Sequence, residues 1–173
     1  MATDEQTVPP TPPTVRPRVY VETTVISRLT AWPSRDPDIA AEQVATREWW
    51  DLDRPSFDPC TSEHVRDEAR AGDAQAAADR LAVLLPLPVL DLSNEIKTLA
   101  RLLLQAKAFP VKATDDALHV AIATVWRIPF LLTWNMRHIS NATMLPVIQR
   151  VCLEAGYVAP AICSPNALRG ERS

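Results

Sequence analysis

Four oxygen-bearing side chains stand out by type and setting. Glu22 closes the β-branched and aromatic run Arg18–Val21. Glu68 lies in a charged stretch that follows Thr61-Ser62. Asp116, with Asp115 beside it, opens the apolar segment 117–126, and Asn135 ends the run Leu131-Leu132-Thr133-Trp134-Asn135. Oxygen donors of this kind suit a hard divalent cation such as Mg²⁺ or Mn²⁺. Spacing along the chain does not establish that they converge, and each has an ordinary role open to it. Glu22 is also what a surface strand-end acid looks like. Glu68 shares a face with Glu63, Arg66, Asp67 and Arg70 at helical pair spacings, the pattern of a solvated, salt-bridged helix. Asp115 and Asp116 sit where a carboxylate caps a helix or complements its dipole.

The elements that must hold these residues follow from patterning. The apolar run 128–132 does not alternate, as in a strand buried on both faces of a parallel sheet. Preceded by a helix over 117–126, it makes half of an α/β unit, and open α/β sheets place ligands beyond the carboxyl ends of their strands. The chain repeats this alternation. Strand Arg18–Val21 precedes a helix over 23–29 that Thr23 or Thr24 can cap. Asp36-Pro37 starts a helix over 38–51, whose Trp49–Trp50 end suits the core or a partner surface. Residues 57–60 form a short strand, and Thr61-Ser62 begin a helix that Gly72 ends. Asp73 caps the Ala-rich helix Ala74–Leu84. An extended stretch over 86–90 leads to Ser93 as cap of a helix over 94–108 with one apolar face. Asn141 caps a helix over 142–155, Gly156 ends it, and Ala161–Cys163 is the last strand. Two strands thus deliver Glu22 and Asn135 to one edge, and two helices carry Glu68 and Asp116 near it.

Composition bounds the class. The chain has 173 residues, 47% of them hydrophobic, enough for one domain with a real core. No apolar run is long enough to span a bilayer, and the Pro- and Thr-rich start is not a secretory signal. Residues 1–17 read as a disordered, polyproline-like leader, 18–165 as the folded domain and 166–173 as a flexible tail. Cys60, Cys152 and Cys163 have neither metal nor disulfide spacing, so a reducing, cytoplasmic setting is expected. The net charge of −3 argues against a surface that is basic throughout, yet allows a local basic patch beside an acidic site.

Four segments together resemble a known family. Tyr20-Val21-Glu22-Thr23-Thr24-Val25-Ile26-Ser27 is similar to the first motif of PIN domains, a strand ending in an acid and then a small hydroxyl residue. Thr61-Ser62-x-x-Val65-x-x-Glu68 resembles the second, Asp116-Ala117-Leu118-His119-Val120-Ala121 the third, and Leu131-Leu132-Thr133-Trp134-Asn135 the fourth. The order and the strand–helix setting match from about Arg18 to Cys163, and the VapC-like toxins of bacterial toxin–antitoxin pairs are the most similar subgroup.

The resemblance implies a three-layer α/β/α PIN-like fold with a central parallel sheet. It further implies a Mg²⁺- or Mn²⁺-dependent endoribonuclease, blocked by a cognate antitoxin and pairing as a homodimer. Carried over, Glu22, Glu68 and Asp116 are the acidic metal ligands and Asn135 holds the fourth position. Thr133 holds an oxygen or a water nearby, Asp115 and His119 stand behind the ligands, and Arg28, Arg66, Arg137 and His138 are candidates to meet phosphate. Two positions depart from the family pattern, Glu22 and Asn135 standing where Asp is usual. The longer arm shifts the cation, and the neutral amide removes one negative charge. Two rival readings follow, a catalytically weak module that binds a protein or RNA without cutting, and a nuclease acting on DNA.

Overall fold

The computed structural model describes residues 15–110 and 112–170. Five strands form one sheet in the order β3-β2-β1-β4-β5, with every neighbouring pair parallel. The strands are β1 Arg18–Val21, β2 Asp58–Ser62, β3 Val89–Leu90, β4 Phe130–Leu132 and β5 Ala161–Cys163. Between β1 and β2 run α1 Thr23–Thr30 and α2 Pro37–Glu48; between β2 and β3, α3 Glu63–Ala69 and α4 Ala74–Leu84. Between β3 and β4 run α5 Asn94–Gln105 and α6 Thr114–Val125, and α7 Leu145–Glu154 connects β4 to β5.

The sheet grows in one direction from β1 to β3 and then returns past β1 to β4 and β5. Right-handed crossovers taken in opposite directions put their helices on opposite faces. The packing agrees: α1 contacts α2, α3 and α4, whereas α5 contacts α6 and α7. The result is an α/β/α sandwich whose direction reverses between β1 and β4. Val21 pairs with Leu132 there, so the next residues, Glu22 and Thr133, lie abreast at the carboxyl ends of the two strands. The core runs through Val19, Tyr20, Val21, Leu131 and Leu132 in the sheet and through α6, where Ala117 and residues 119–124 are all buried. This accounts for a helix that is apolar on nearly every side.

Local signals set most helix ends. Asp36, Asp73 and Ser93 each cap as expected, accepting backbone N–H groups of the first turn. Gly72 and Gly156 adopt positive φ just past their helices, the left-handed conformation glycine tolerates best. Elsewhere the elements differ from the expectation. β2 runs two residues further than expected, because Thr61 and Ser62 pair with β3 before Ser62 turns to cap α3 through Val65 N–H. The cap of α1 is Glu22 itself, not a threonine. The helix over 94–108 stops at Gln105, and that over 142–155 starts only at Leu145, since Asn141 closes a turn onto Thr143 and Met144 instead. Trp49, expected in a helix over 38–51, lies in a π-helical turn, Trp49–Asp53, that follows α2. It is fully buried against Phe57, so it belongs to the core and is not available to a partner.

The leader expected over 1–17 falls largely outside the described residues. Its last part is held, Pro17 C=O accepting Asp58 N–H and Arg16 pairing with Asp58. The expected tail is also anchored in its described part: Leu168 is buried, and both Arg169 and Gly170 N–H reach the buried carboxylate of Asp53. Among the described residues no helix is long and apolar enough to cross a membrane.

Two outcomes test this core. Leu131→Ala, in a strand flanked on both sides, should cost about 2–5 kcal/mol, read as a lower urea midpoint at unchanged slope. Burial pushes the thiols of Cys60 and Cys163 up to about 11. At pH 8 the thiolate fraction is then on the order of one in a thousand. Iodoacetamide should leave both cysteines unmodified in the folded chain for times that label the denatured chain fully. The raised values mean that the folded state holds these protons more tightly. The associated stability is present at neutral pH and is lost as pH rises from 9.0 through about 11.

Candidate active site

The edge where the sheet reverses direction collects every residue singled out by the motifs. Glu22 follows β1 and is 2% exposed. A carboxylate so placed needs donors, and it has them: Thr24 N–H at 3.1 Å, the Thr24 hydroxyl in a short contact, and the Thr133 hydroxyl from the neighbouring strand. Thr24 Oγ1 also accepts Trp134 N–H at 2.9 Å, and Thr133 Oγ1 accepts Asn135 N–H at 2.8 Å. The two threonines therefore stitch the ends of β1 and β4 together around Glu22. Burial is nevertheless the largest influence on this carboxyl and raises its pKa, opposed by the charge of His119 and by these hydrogen bonds.

Glu68 reaches the same edge from α3. Its Oε2 accepts the Thr23 hydroxyl in a short contact and His119 Nε2–H at 3.0 Å. His119 Nδ1 lies 3.0 Å from the Tyr20 hydroxyl, which lies 2.8 Å from Ser62 Oγ. In the imidazolium form both ring N–H groups donate, and Tyr20 passes its own hydrogen on to Ser62. Burial disfavours charge on His119. The hydrogen bond to Glu68 and the fields of Glu22, Glu68 and Asp116 outweigh it and raise the pKa. Glu68 is lowered in turn: desolvation opposes the shift, and the bond and charge of His119 decide it. Tyr20 is pushed well above 10.0, first by burial.

Asp116 enters from the first turn of α6 and is held on both oxygens. Oδ1 accepts Asn135 Nδ2–H at 2.7 Å, and Oδ2 lies 2.8 Å from His138 Nδ1. Asn135 Oδ1 accepts the His138 backbone N–H at 3.1 Å. An aspartate at 135 would place a second negative charge against Asp116; the amide supplies a donor instead. Asn135 thus orients Asp116, and its carbonyl keeps one lone pair free of the described contacts.

The remaining candidates divide. His119, Thr133 and His138 touch the acids directly. Asp115 does not cap α6, whose N-cap residue Ala113 offers no side-chain bond; its Oδ1 lies 3.3 Å from His64 Nε2. Arg28 and Arg66 are engaged in ion pairs with Glu42 and Glu63. Arg137 is exposed, and with Lys107 and His138 it lines a cavity of about 400 Å³ next to Asp116.

Three participants were not legible beforehand. Tyr20 reads as a strand aromatic and Ser62 as the start of a helix, and His64 belongs to no motif, although its i,i+4 spacing to Glu68 places both on one face of α3.

No family model and no curated relative matches the sequence. Among solved structures the chain is similar to VapC20 of Mycobacterium tuberculosis, described as a toxin that cleaves the sarcin–ricin loop. The TM-score is 0.56 at 17% identity, over 72% of this chain and 95% of that one. The fold is PIN-like. In this PIN-like fold the reversal of the parallel sheet coincides with the four motifs read from the sequence.

The buried chain Ser62–Tyr20–His119–Glu68 makes a direct prediction. Tyr20→Phe removes one hydroxyl and leaves His119 Nδ1 buried without its partner. A loss of about 1–3 kcal/mol in unfolding free energy is expected, and unchanged stability would show that the hydroxyl does not serve His119.

Proposed function

We propose that this chain is a metal-dependent endoribonuclease that hydrolyses RNA phosphodiester bonds, a PIN-like toxin neutralised by a cognate antitoxin. One observation carries the reading. Three carboxylates from three separate elements, Glu22, Glu68 and Asp116, all act on the single buried imidazole of His119, at the point where the sheet reverses. A divalent cation would neutralise the carboxylates that reach this edge.

The oxygen chemistry of the donors suits such an ion, although the three carboxylates are not drawn into one cluster with all ligand atoms within 4.8 Å. Glu22 is a buried carboxylate whose charge is disfavoured by desolvation and only partly relieved by His119. Glu22, Glu68 and Asp116, with the carbonyl of Asn135, are the groups that would hold Mg²⁺ or Mn²⁺. The ion supplies charge neutralisation and orientation of the attacking water and the phosphate.

The chain's own residues divide the remaining tasks. Thr24 and Thr133 hold the Glu22 carboxylate at the strand end, and Asn135 and His138 hold that of Asp116. The rigid sheet edge keeps these oxygens in place without reorganisation. Lys107 and Arg137, lining the adjacent cavity, offer positive charge for backbone phosphates despite the net acidity of the chain. In the hydrolysis a water oxygen bonds to phosphorus and one ester oxygen departs with a proton. The likeness in fold to VapC20, a toxin that cleaves the sarcin–ricin loop, supports RNA over DNA as substrate.

A second reading, a module that binds a protein or RNA without cutting, is favoured by the engagement of both Asp116 oxygens in hydrogen bonds. Asp116→Asn separates the two. Under the nuclease reading, Mg²⁺ or Mn²⁺ binding measured by calorimetry and metal-supported cleavage of single-stranded RNA should both fall by about 100-fold or more. Cleavage unaffected by the substitution would remove Asp116 from the site. A wild-type chain that binds neither cation would favour the binding module.

A further inference from the structure

Glu68 belongs to a second group as well. Among the described residues, the set of three or more His, Cys, Asp and Glu whose ligand atoms all lie within 4.8 Å of one another is His64, Glu68 and His119. His64 and Glu68 are one helical turn apart on α3, and His119 faces them from α6, its ring centroid 4.9 Å from that of His64. We infer that His64, Glu68 and His119 form a binding site for a first-row transition cation of the Zn²⁺ type, sharing Glu68 with the acidic site.

Four features support the assignment. Two imidazole nitrogens and one carboxylate oxygen are a borderline donor set, matched to Zn²⁺ or Co²⁺ and poorly to Mg²⁺. Three protein ligands leave a position for water. His119 already has the support that ligating histidines show: its Nδ1 is tied to the Tyr20 hydroxyl, itself tied to Ser62, which aims Nε2 at Glu68, where the cation would take the place of the proton shared between them and release it to solvent. His64 Nε2 is buried and without a hydrogen-bond partner among the described residues; Asp115 Oδ1 stands 3.3 Å away but not in hydrogen-bond geometry. A buried ring nitrogen beside a carboxylate, with nothing bonded between them, is what a cation would satisfy, and it leaves Asp115 as a further oxygen at the exposed side.

Occupancy has a consequence that rests on the nuclease reading above. A Zn²⁺ ion held on Glu68 withdraws that carboxylate from Thr23 and from the acidic site. The transition cation therefore acts as a brake on Mg²⁺-supported cleavage, not as its cofactor.

The test titrates Zn²⁺ and Co²⁺ into the full chain and into His64→Ala and His64→Gln, with circular dichroism confirming the fold of each. The wild type should bind one equivalent, and both variants should bind at least about 10-fold more weakly. Bound Co²⁺ should show ligand-field bands without a thiolate charge-transfer band, which separates this site from Cys60, Cys152 and Cys163. Stoichiometric Zn²⁺ should slow Mg²⁺-supported RNA cleavage by the wild type and leave that of His64→Ala untouched. Equal affinity in all three proteins, or a thiolate band, would overturn the site. Cleavage indifferent to bound Zn²⁺ would overturn the sharing of Glu68. Tight, His64-dependent Zn²⁺ binding by a chain that cuts no RNA would uphold the site and dispose of the nuclease reading.

Discussion

Glu22 is a carboxylate with 2% exposure at the carboxyl end of the central strand. Taking such a group out of water is costly unless donors and positive charge replace the water. Much of the architecture answers that requirement. The parallel pairing of β1 with β4 brings Thr133 abreast of Glu22. The turn into α1 brings Thr24 back onto it, and α6 lays His119 across the edge. If the sheet did not reverse between β1 and β4, α6 would not cover this edge from the opposite face to α3, and Glu22 would lack the imidazole of His119 near it.

The same constraint explains why the second ring of contacts is so fully hydrogen-bonded. Each of the three acids at this sheet edge is steadied separately: Glu22 by two threonines, Glu68 by Thr23 and His119, Asp116 by Asn135 and His138. His119 is the basic group these acids have in common, and its own orientation depends on Tyr20 and Ser62. Stability and site chemistry are therefore coupled through a single imidazole. The neutral Asn135 fits this balance: it gives Asp116 a donor where a fourth carboxylate would add repulsion.

Much of the fold was readable from local chemistry. The unalternating run before Thr133, the β-branched run before Glu22, and the caps at Asp36, Asp73 and Ser93 each depend on neighbours a few residues away, and each was found where expected. The misread boundaries were those that a distant partner decides. Thr61 and Ser62 look like a helix start until β3 pairs with them, and Asn141 looks like a cap until the loop after Asn135 turns it toward Thr143. The tail after residue 165 reads as solvated because its anchor, Asp53, is more than 100 positions away.

The four motif acids and amides, and the strand ends and helix starts that carry them, belonged to residue type and short-range periodicity, since propensity, capping and hydrophobic pattern act over one or two turns. Which oxygens meet was decided only in three dimensions. Asp116 joins Asn135 and His138, Glu68 joins Thr23 and His119, and His64 comes to lie against His119, across separations of 19 to 51 residues for the hydrogen-bonded partners. Those meetings depend on strand order and on which face each crossover helix takes, and no local pattern encodes either. They follow from burying the apolar faces of the helices on both sides of one parallel sheet, and a side chain's partner across that sheet is settled only when the packing is complete.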